Sequence, residues 1–272
     1  MTSYVEKCRR FEDLHKDGCF VLPNAWDAGS ARVLQSAGAV ALGTTSAGYA
    51  WSAGQRDGAQ TRDTVLANAA DIAAAVDVPV TADLLNGFGE APETVADTIR
   101  IAAEAGLCGA SIEDTTGDPD APLYDRNLAV ERILAALEVV QSLDTPFTLC
   151  ARADALFAGV QDMPEVLSRL KAFGDVGAPL LYAPALMTTE EVTAVINHVT
   201  APINVLAGIG NPFTVADLAA LGVRRISVGS VVANAAFGAA HKAVTELLTQ
   251  GTFGWSEDTM TYPALQEMMD DA

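Results

Sequence analysis

Charged residues close three successive apolar runs of this 272-residue chain. Asp83 falls near the end of VPVTADLL (78–85), Glu113 and Asp114 in GASIEDT (109–115), and Arg152 and Asp154 in FTLCARAD (147–154). Carboxylates carried at the same end of adjacent strands lie a few Å apart and repel unless one is protonated or a cation sits between them. Hard oxygen ligands with room left for water suit Mg²⁺, with Mn²⁺ as the alternative, so Asp83 and Glu113 are the expected metal residues. Arg152, one run further on, can pair with a substrate carboxylate or offset charge on a developing enolate oxygen, which makes it both a binding and a catalytic candidate. The run AVALGTTS (39–46) ends in Thr44, Thr45 and Ser46, and Ser46 with the small backbone at Ala47 and Gly48 forms a cradle for a second anionic group. FVLPNAW (20–26) ends in Asn24 and Trp26, with Trp26 expected among the substrate-binding residues, and Asp57, a catalytic candidate, lies on the loop beyond Gly48.

Each of these residues also has a structural reading. Asp83 or Glu113 taken singly can cap a helix or pair with Arg152, while all three on consecutive run ends favour a site. Asp57, flanked by glycine, reads equally as a turn residue. Asp114 and Asp154 read as supporting groups. His15, His198 and His241 fall at helical or pre-strand positions and receive no catalytic role. Gly208-Ile209-Gly210 and Gly229-Ser230 read equally as phosphate-binding turns or as tight strand exits.

The elements that would position these groups alternate regularly. The remaining runs are APLLYAPA (178–185), PINVLAGIG (202–210) and RRISVGS (224–230), with helices expected at Arg62–Val76, Pro92–Ala105, Leu128–Gln141 and Thr214–Leu221. Pro92 and Pro164 suit first helical turns, and Gly106 and Gly222 suit positions just past helix ends. Eight strand-then-helix units close a parallel barrel, so the expected fold is α/β, a (β/α)8 TIM-type barrel over about 18–240. An open doubly wound sheet is the competitor, but no GxGxxG follows the first strand. Residues 241–272 are expected to form a C-terminal helical extension. Its Phe253, Trp255, Tyr262, Leu265 and Met268 need covering, either by the chain's own barrel or by a neighbouring subunit in a homo-oligomer.

A formal charge of −19 argues against nucleic acid and anionic membranes as partners. An anionic substrate must then be held by a local cation. No apolar run approaches the roughly 20 residues of a membrane span, and the N-terminal stretch has no apolar signal region, so the expected location is cytoplasmic. Cys8, Cys19, Cys108 and Cys150 show no CxxC spacing, which suggests neither zinc nor a disulfide framework.

These landmarks, in this order, resemble the isocitrate lyase/phosphoenolpyruvate mutase superfamily over about residues 18–240. The resemblance is carried by PNAWDAGSARVLQSAGAVALGTTSAG, TAD-x-x-x-GFG, SIED, ARAD and LGVRRISVGS. It implies a barrel with Mg²⁺ near Asp83 and Glu113 and Arg152 on the substrate. It also places Asp57 near metal waters or substrate, and Ser46, Ala47 and Gly48 on the carboxylate and carbonyl end. Family members cleave C–C or P–C bonds beside a 2-oxo acid through a metal-stabilised enolate, commonly as tetramers that exchange C-terminal helices. Two departures matter. Leu85 stands where the family carries a second acid, with Asn86 out of phase. The loop TTGDPDAPLYDR lacks both the Lys-Lys-Cys-Gly-His stretch of isocitrate and methylisocitrate lyases and the Lys and Asn of phosphonate-handling members. Cys150, on a strand, cannot replace the loop thiol.

The expected activity is therefore Mg²⁺-dependent C–C cleavage of a small, oxaloacetate-like 2-oxo acid. The alternatives are P–C chemistry on phosphonopyruvate, a 2-oxo-acid-binding barrel with little turnover, or an unrelated phosphate-binding barrel. Tyr182, Pro184 and Leu206 at the far end suit a short substrate with little charge beyond the oxo-acid head.

Overall fold

Short parallel strands are stable when both faces are covered, by helices outside and by their own inward side chains in a closed barrel. The computed structural model, which describes residues 2–208 and 210–270, covers them in this way. Strands β1 (Phe20–Leu22), β2 (Asn24–Ala25), β3 (Leu42–Thr44), β4 (Val80–Asp83), β5 (Gly109–Ile112), β6 (Thr148–Arg152), β7 (Leu180–Tyr182), β8 (Ile203–Leu206) and β9 (Arg225–Ser227) are all parallel. Their order is β1-β9-β8-β7-β6-β5-β4-β3-β2, a TIM-type barrel.

Eight expected runs become nine strands because the first run splits at Pro23, which has no N–H to donate to a ladder. Its lower half, β1, pairs with β9, and its upper half, β2, pairs with β3. One run thereby joins the two ends of the sheet and closes the ring.

Helices α1 (Tyr4–Leu14), α2 (Ala28–Ser36), α3 (Ser46–Ser52), α4 (Arg62–Ala75), α5 (Pro92–Glu104), α6 (Arg126–Ser142), α7 (Met163–Asp175), α8 (Thr189–His198) and α9 (Val215–Leu221) follow in chain order. Their ends obey the sequence signals. Pro92 and Pro164 sit in first turns, Thr61 and Thr214 accept N-cap hydrogen bonds, and Gly222 ends α9 with φ 97°. The main core lies between strands and helices, where Leu42, Ile72, Leu84, Ile99, Leu149, Leu170 and Phe173 are fully buried. A second small cluster of Cys8, Phe11, Phe20, Leu22 and Cys108 seats α1 across the N-terminal end of the barrel.

The C-terminal segment consists of α10 (Val231–Gln250), a 3-10 turn (Gly254–Asp258) and α11 (Tyr262–Met269). α10 runs unbroken across residue 240. α11 returns to α2, where Arg32 Nη1 donates to the carbonyls of Met269 and Asp270 at 2.7 Å each. Phe237, Val244, Leu248, Phe253 and Tyr262 are exposed along this segment. Among the described residues no helix is long and apolar enough to cross a membrane.

Candidate active site

Parallel strands present their C-terminal ends together, so Asp83 and Arg152, which end β4 and β6, and Glu113, which follows β5 directly, converge as their positions predict. Arg152 Nη1 lies 2.8 Å from Glu113 Oε1 and 3.2 Å from Asp83 Oδ1. The rest of the guanidinium is a fork on Asp154: Nη2 donates to Oδ1 at 2.7 Å and Nε to Oδ2 at 3.2 Å. Asp154 is fully buried and its own N–H donates to Asp114 Oδ1 at 2.8 Å. Asp114 in turn holds Arg169 Nη1 at 3.1 Å. Asp114 and Asp154 therefore orient Arg152 from behind, and the Tyr182 ring lies against it with its centroid 4.9 Å away.

One guanidinium faces three carboxylates in this cluster. Burial pushes Glu113 up to about 8 despite the pull of Arg152, with Asp154 and Asp83 adding repulsion. Burial also pushes Asp154 up to about 6, again against Arg152. Arg152 itself is held well above its ordinary value: burial works against its charge, but Asp154, Glu113 and Asp83 outweigh it. Fully ionised, the group carries two excess negative charges, which a divalent cation would neutralise. Mg²⁺ keeps most of its water and needs only one or two protein carboxylates. Asp83 and Glu113 meet that requirement as hard oxygen donors, although among the described residues no group of three or more His, Cys, Asp or Glu forms a metal cluster.

The loop after β4 is held rigidly. Leu85 and Phe88 adopt φ of 50° and 65°, the left-handed region that L side chains rarely occupy, and such strain clusters near functional sites. The Leu85 carbonyl accepts from the Glu113 N–H at 2.8 Å, so this residue fixes Glu113 through its backbone. Fully buried Arg132 donates to the carbonyls of Asn86, Gly89 and Glu90. Asn86 is engaged by the Thr115 carbonyl and the Tyr124 hydroxyl, away from the carboxylates. The following loop folds on itself through a Thr115–Leu123 bridge and a bond from Thr116 N–H to the Pro122 carbonyl at 3.0 Å.

The other expected residues fall as follows. Ser46 opens α3 and its N–H lies 3.4 Å from Asp83 Oδ2, with Ala47 beside it. The Gly48 N–H is taken by the Thr45 cap at 3.3 Å, and a Cβ there would meet Thr45 Cγ2 at 2.8 Å and Trp26 Cβ at 2.9 Å. Trp26 therefore packs on the base of α3, outside the set of residues lining the central cavity. Asp57 is exposed as a residue, yet its carboxyl interacts with Ser46, Asp83 and Arg152. Partial burial raises its pKa, opposed by the Ser46 hydrogen bond and reinforced by Asp83.

The Gly229 and Val228 N–H groups donate to Asn24 Oδ1 at 2.9 and 3.0 Å, which makes this a tight strand exit. Ile209 of the other glycine turn lies outside the described residues. Sequence reasoning missed the supporting work of Arg132 and Asn24. Tyr182 had a signal, since it closes the strand beside Arg152.

Three comparisons bear on this geometry. The family described as phosphoenolpyruvate phosphomutase matches residues 11–248. An uncharacterized protein of Mycobacterium tuberculosis is 34% identical over 237 residues, 86% of this chain and 87% of that one. A putative lyase/mutase from Burkholderia cenocepacia has a similar crystal structure, with 47% identity, a TM-score of 0.94 and coverage of 97% and 95% of the two chains. Oxaloacetate acetylhydrolase in complex with the product oxalate shares 26% identity at a TM-score of 0.89, covering 99% and 95%.

Proposed function

The chain belongs to the phosphoenolpyruvate phosphomutase family, and from that premise we propose that it is a Mg²⁺-dependent enzyme that cleaves a C–C bond of the carbon next to the carbonyl of a short, oxaloacetate-like 2-oxo acid. The observation that carries the reading is the sharing of one guanidinium by three carboxylates at the barrel mouth, Asp154 fully buried and Asp83 and Glu113 partly open to the mouth. Its lyase/mutase class follows from the family and its relatives. The likeness to an oxaloacetate-cleaving enzyme supports the substrate class.

When bound by Asp83 and Glu113, directly or through water, Mg²⁺ would polarise the oxo-acid carbonyl and adjoining carboxylate. Arg152, held in place by Asp154, offsets negative charge as the bond breaks. In decarboxylation of oxaloacetate the C3–C4 bond breaks, CO₂ leaves, and the electron pair stays in the enolate of pyruvate. Protonation at C3 completes the reaction. Asp57, whose carboxyl holds its proton more tightly than a free aspartate, would relay that proton or orient a water, a role supported by its interactions with Ser46, Asp83 and Arg152. Ser46, with the backbone of Ala47, holds the carboxylate end; Gly48, its N–H taken by the Thr45 cap, keeps α3 close against Trp26, which supports that segment.

The exposed apolar residues of α10 and the tail are proposed to be covered by a second copy of the chain in a cytoplasmic homo-oligomer, with residues 241–272 as the exchanged extension.

The test is consumption of oxaloacetate with Mg²⁺ and with chelator, alongside Asp83→Ala. Metal-dependent consumption absent in the variant is expected, with pyruvate marking decarboxylation and oxalate plus acetate marking hydrolysis. Turnover of phosphonopyruvate alone would replace C–C by P–C cleavage. Saturable binding of oxo acids without turnover of any would overturn the enzyme reading.

A further inference from the structure

A polar cavity of about 70 Å³ runs along the barrel axis from Asp83 and Arg152 down to Arg225 on β9. A single water needs roughly 10–15 Å³, so this space holds more than one. Arg225 is 3% exposed; its Nε donates to Asn204 Oδ1 at 2.8 Å, while its buried Nη1 has no hydrogen-bond partner among the described residues. No carboxylate lies within ion-pair distance of it among those residues, in contrast to Arg152 and Arg169.

The titratable groups around it supply no negative charge. Burial pushes the Cys150 thiol and the Tyr182 phenol up, so both stay neutral. Burial and Arg225 itself push His15 down to about 3, so it is neutral too, and Arg152 is positive. A guanidinium in a low-dielectric interior is costly without a counter-charge. Water can satisfy its N–H groups but leaves the charge unmatched.

We propose that this cavity binds a small monovalent inorganic anion of halide size, held by Arg225 Nη1 and by hydroxyl and amide donors of the lining, among them Thr81, Ser111, Asn204 and Ser227. The anion gives Arg225 its missing counter-charge beneath the mouth of the barrel. It also screens Arg152 from the second guanidinium on the same axis.

The test uses the full chain in oxo-acid-free buffer at constant ionic strength, with gluconate replaced by chloride or bromide. Melting temperature should rise saturably, by about 3 °C at ten times the half-saturating concentration. Arg225→Leu should lose that response. Independently of whether this variant folds, bromide-soaked wild-type crystals provide a second reading, with an anomalous peak expected beside Arg225 Nη1. Density for water alone at saturating bromide would overturn the proposal. So would a peak without the solution transition, which would mark an adventitious ion only. An oxalate stabilisation that halide competes away would assign the cavity to a substrate carboxylate and overturn it as well.

Discussion

Metal and proton compete for Glu113, and the competition has a calculable size. Burial pushes this carboxyl up to about 8, even with the Arg152 guanidinium 2.8 Å away. A divalent ion takes the carboxylate form, so each pH unit below 8 should weaken apparent affinity about tenfold, or about 1.4 kcal/mol. Between pH 8, where about half the carboxyl is still protonated, and pH 6 the Kd for Mn²⁺, standing for Mg²⁺, should rise about 50-fold. Calorimetric titration at pH 6, 7 and 8, in buffers of different ionisation heat, reads both Kd and proton release. About one proton per metal should be released at pH 6 and about half at pH 8. Glu113→Gln should bind weakly at every pH with no proton release. The metal-free protein follows the opposite sign. The folded pKa of Glu113 lies above its ordinary 4.5, so the contribution of the protonated form is full below about pH 4.5 and is lost as pH rises through about 8. A wild-type Kd that stays constant from pH 6 to 8, with no proton release, would refute the reasoning.

His15 donates from Nδ1 to the Phe11 carbonyl at 2.8 Å, and burial holds it near pKa 3. Its depressed folded value makes its contribution complete above its ordinary 6.5 and lost toward 3, so denaturant unfolding should show about 2 kcal/mol less stability at pH 5 than at pH 7, a loss missing in His15→Leu. Arg132→Met strips three loop carbonyls of their donor and should cost about 3 kcal/mol in unfolding experiments, with turnover falling as the Leu85–Glu90 loop loosens. Gly48→Ala drives a methyl into Thr45 and Trp26 and should cost about 1–3 kcal/mol; unchanged stability would mean α3 shifts freely. Leu248, 79% exposed, should matter for assembly: sedimentation should show an oligomer for the wild type and a smaller species for Leu248→Glu.

Asp83, Glu113 and Arg152 were legible in the sequence because a parallel barrel sends the C-terminal end of every strand to one face. One charged residue there can cap a helix or pair locally, but three on consecutive strand ends meet on that face and favour a site. The helices were legible from Pro92, Pro164, Gly106 and Gly222, whose backbone preferences act locally. What escaped is long-range. Nothing near Arg132 in the chain announces that its guanidinium will hold carbonyls 42 to 46 residues away. Asn24 likewise ties the first strand to Val228 and Gly229 across more than 200 residues. The split at Pro23 was readable from chemistry, since proline cannot donate, yet the run was expected to continue. Leu85 stands apart: its backbone holds Glu113, a role no residue type encodes.

The most direct test of the central claim is the structure of the protein crystallised with Mn²⁺ and oxalate, using anomalous scattering to locate the metal. The account predicts one metal peak at Asp83 and Glu113, touching a carboxylate or its bound water, with oxalate between the metal and Arg152. Oxalate bound on Arg152 without metal, or metal bound elsewhere on the barrel, would contradict it.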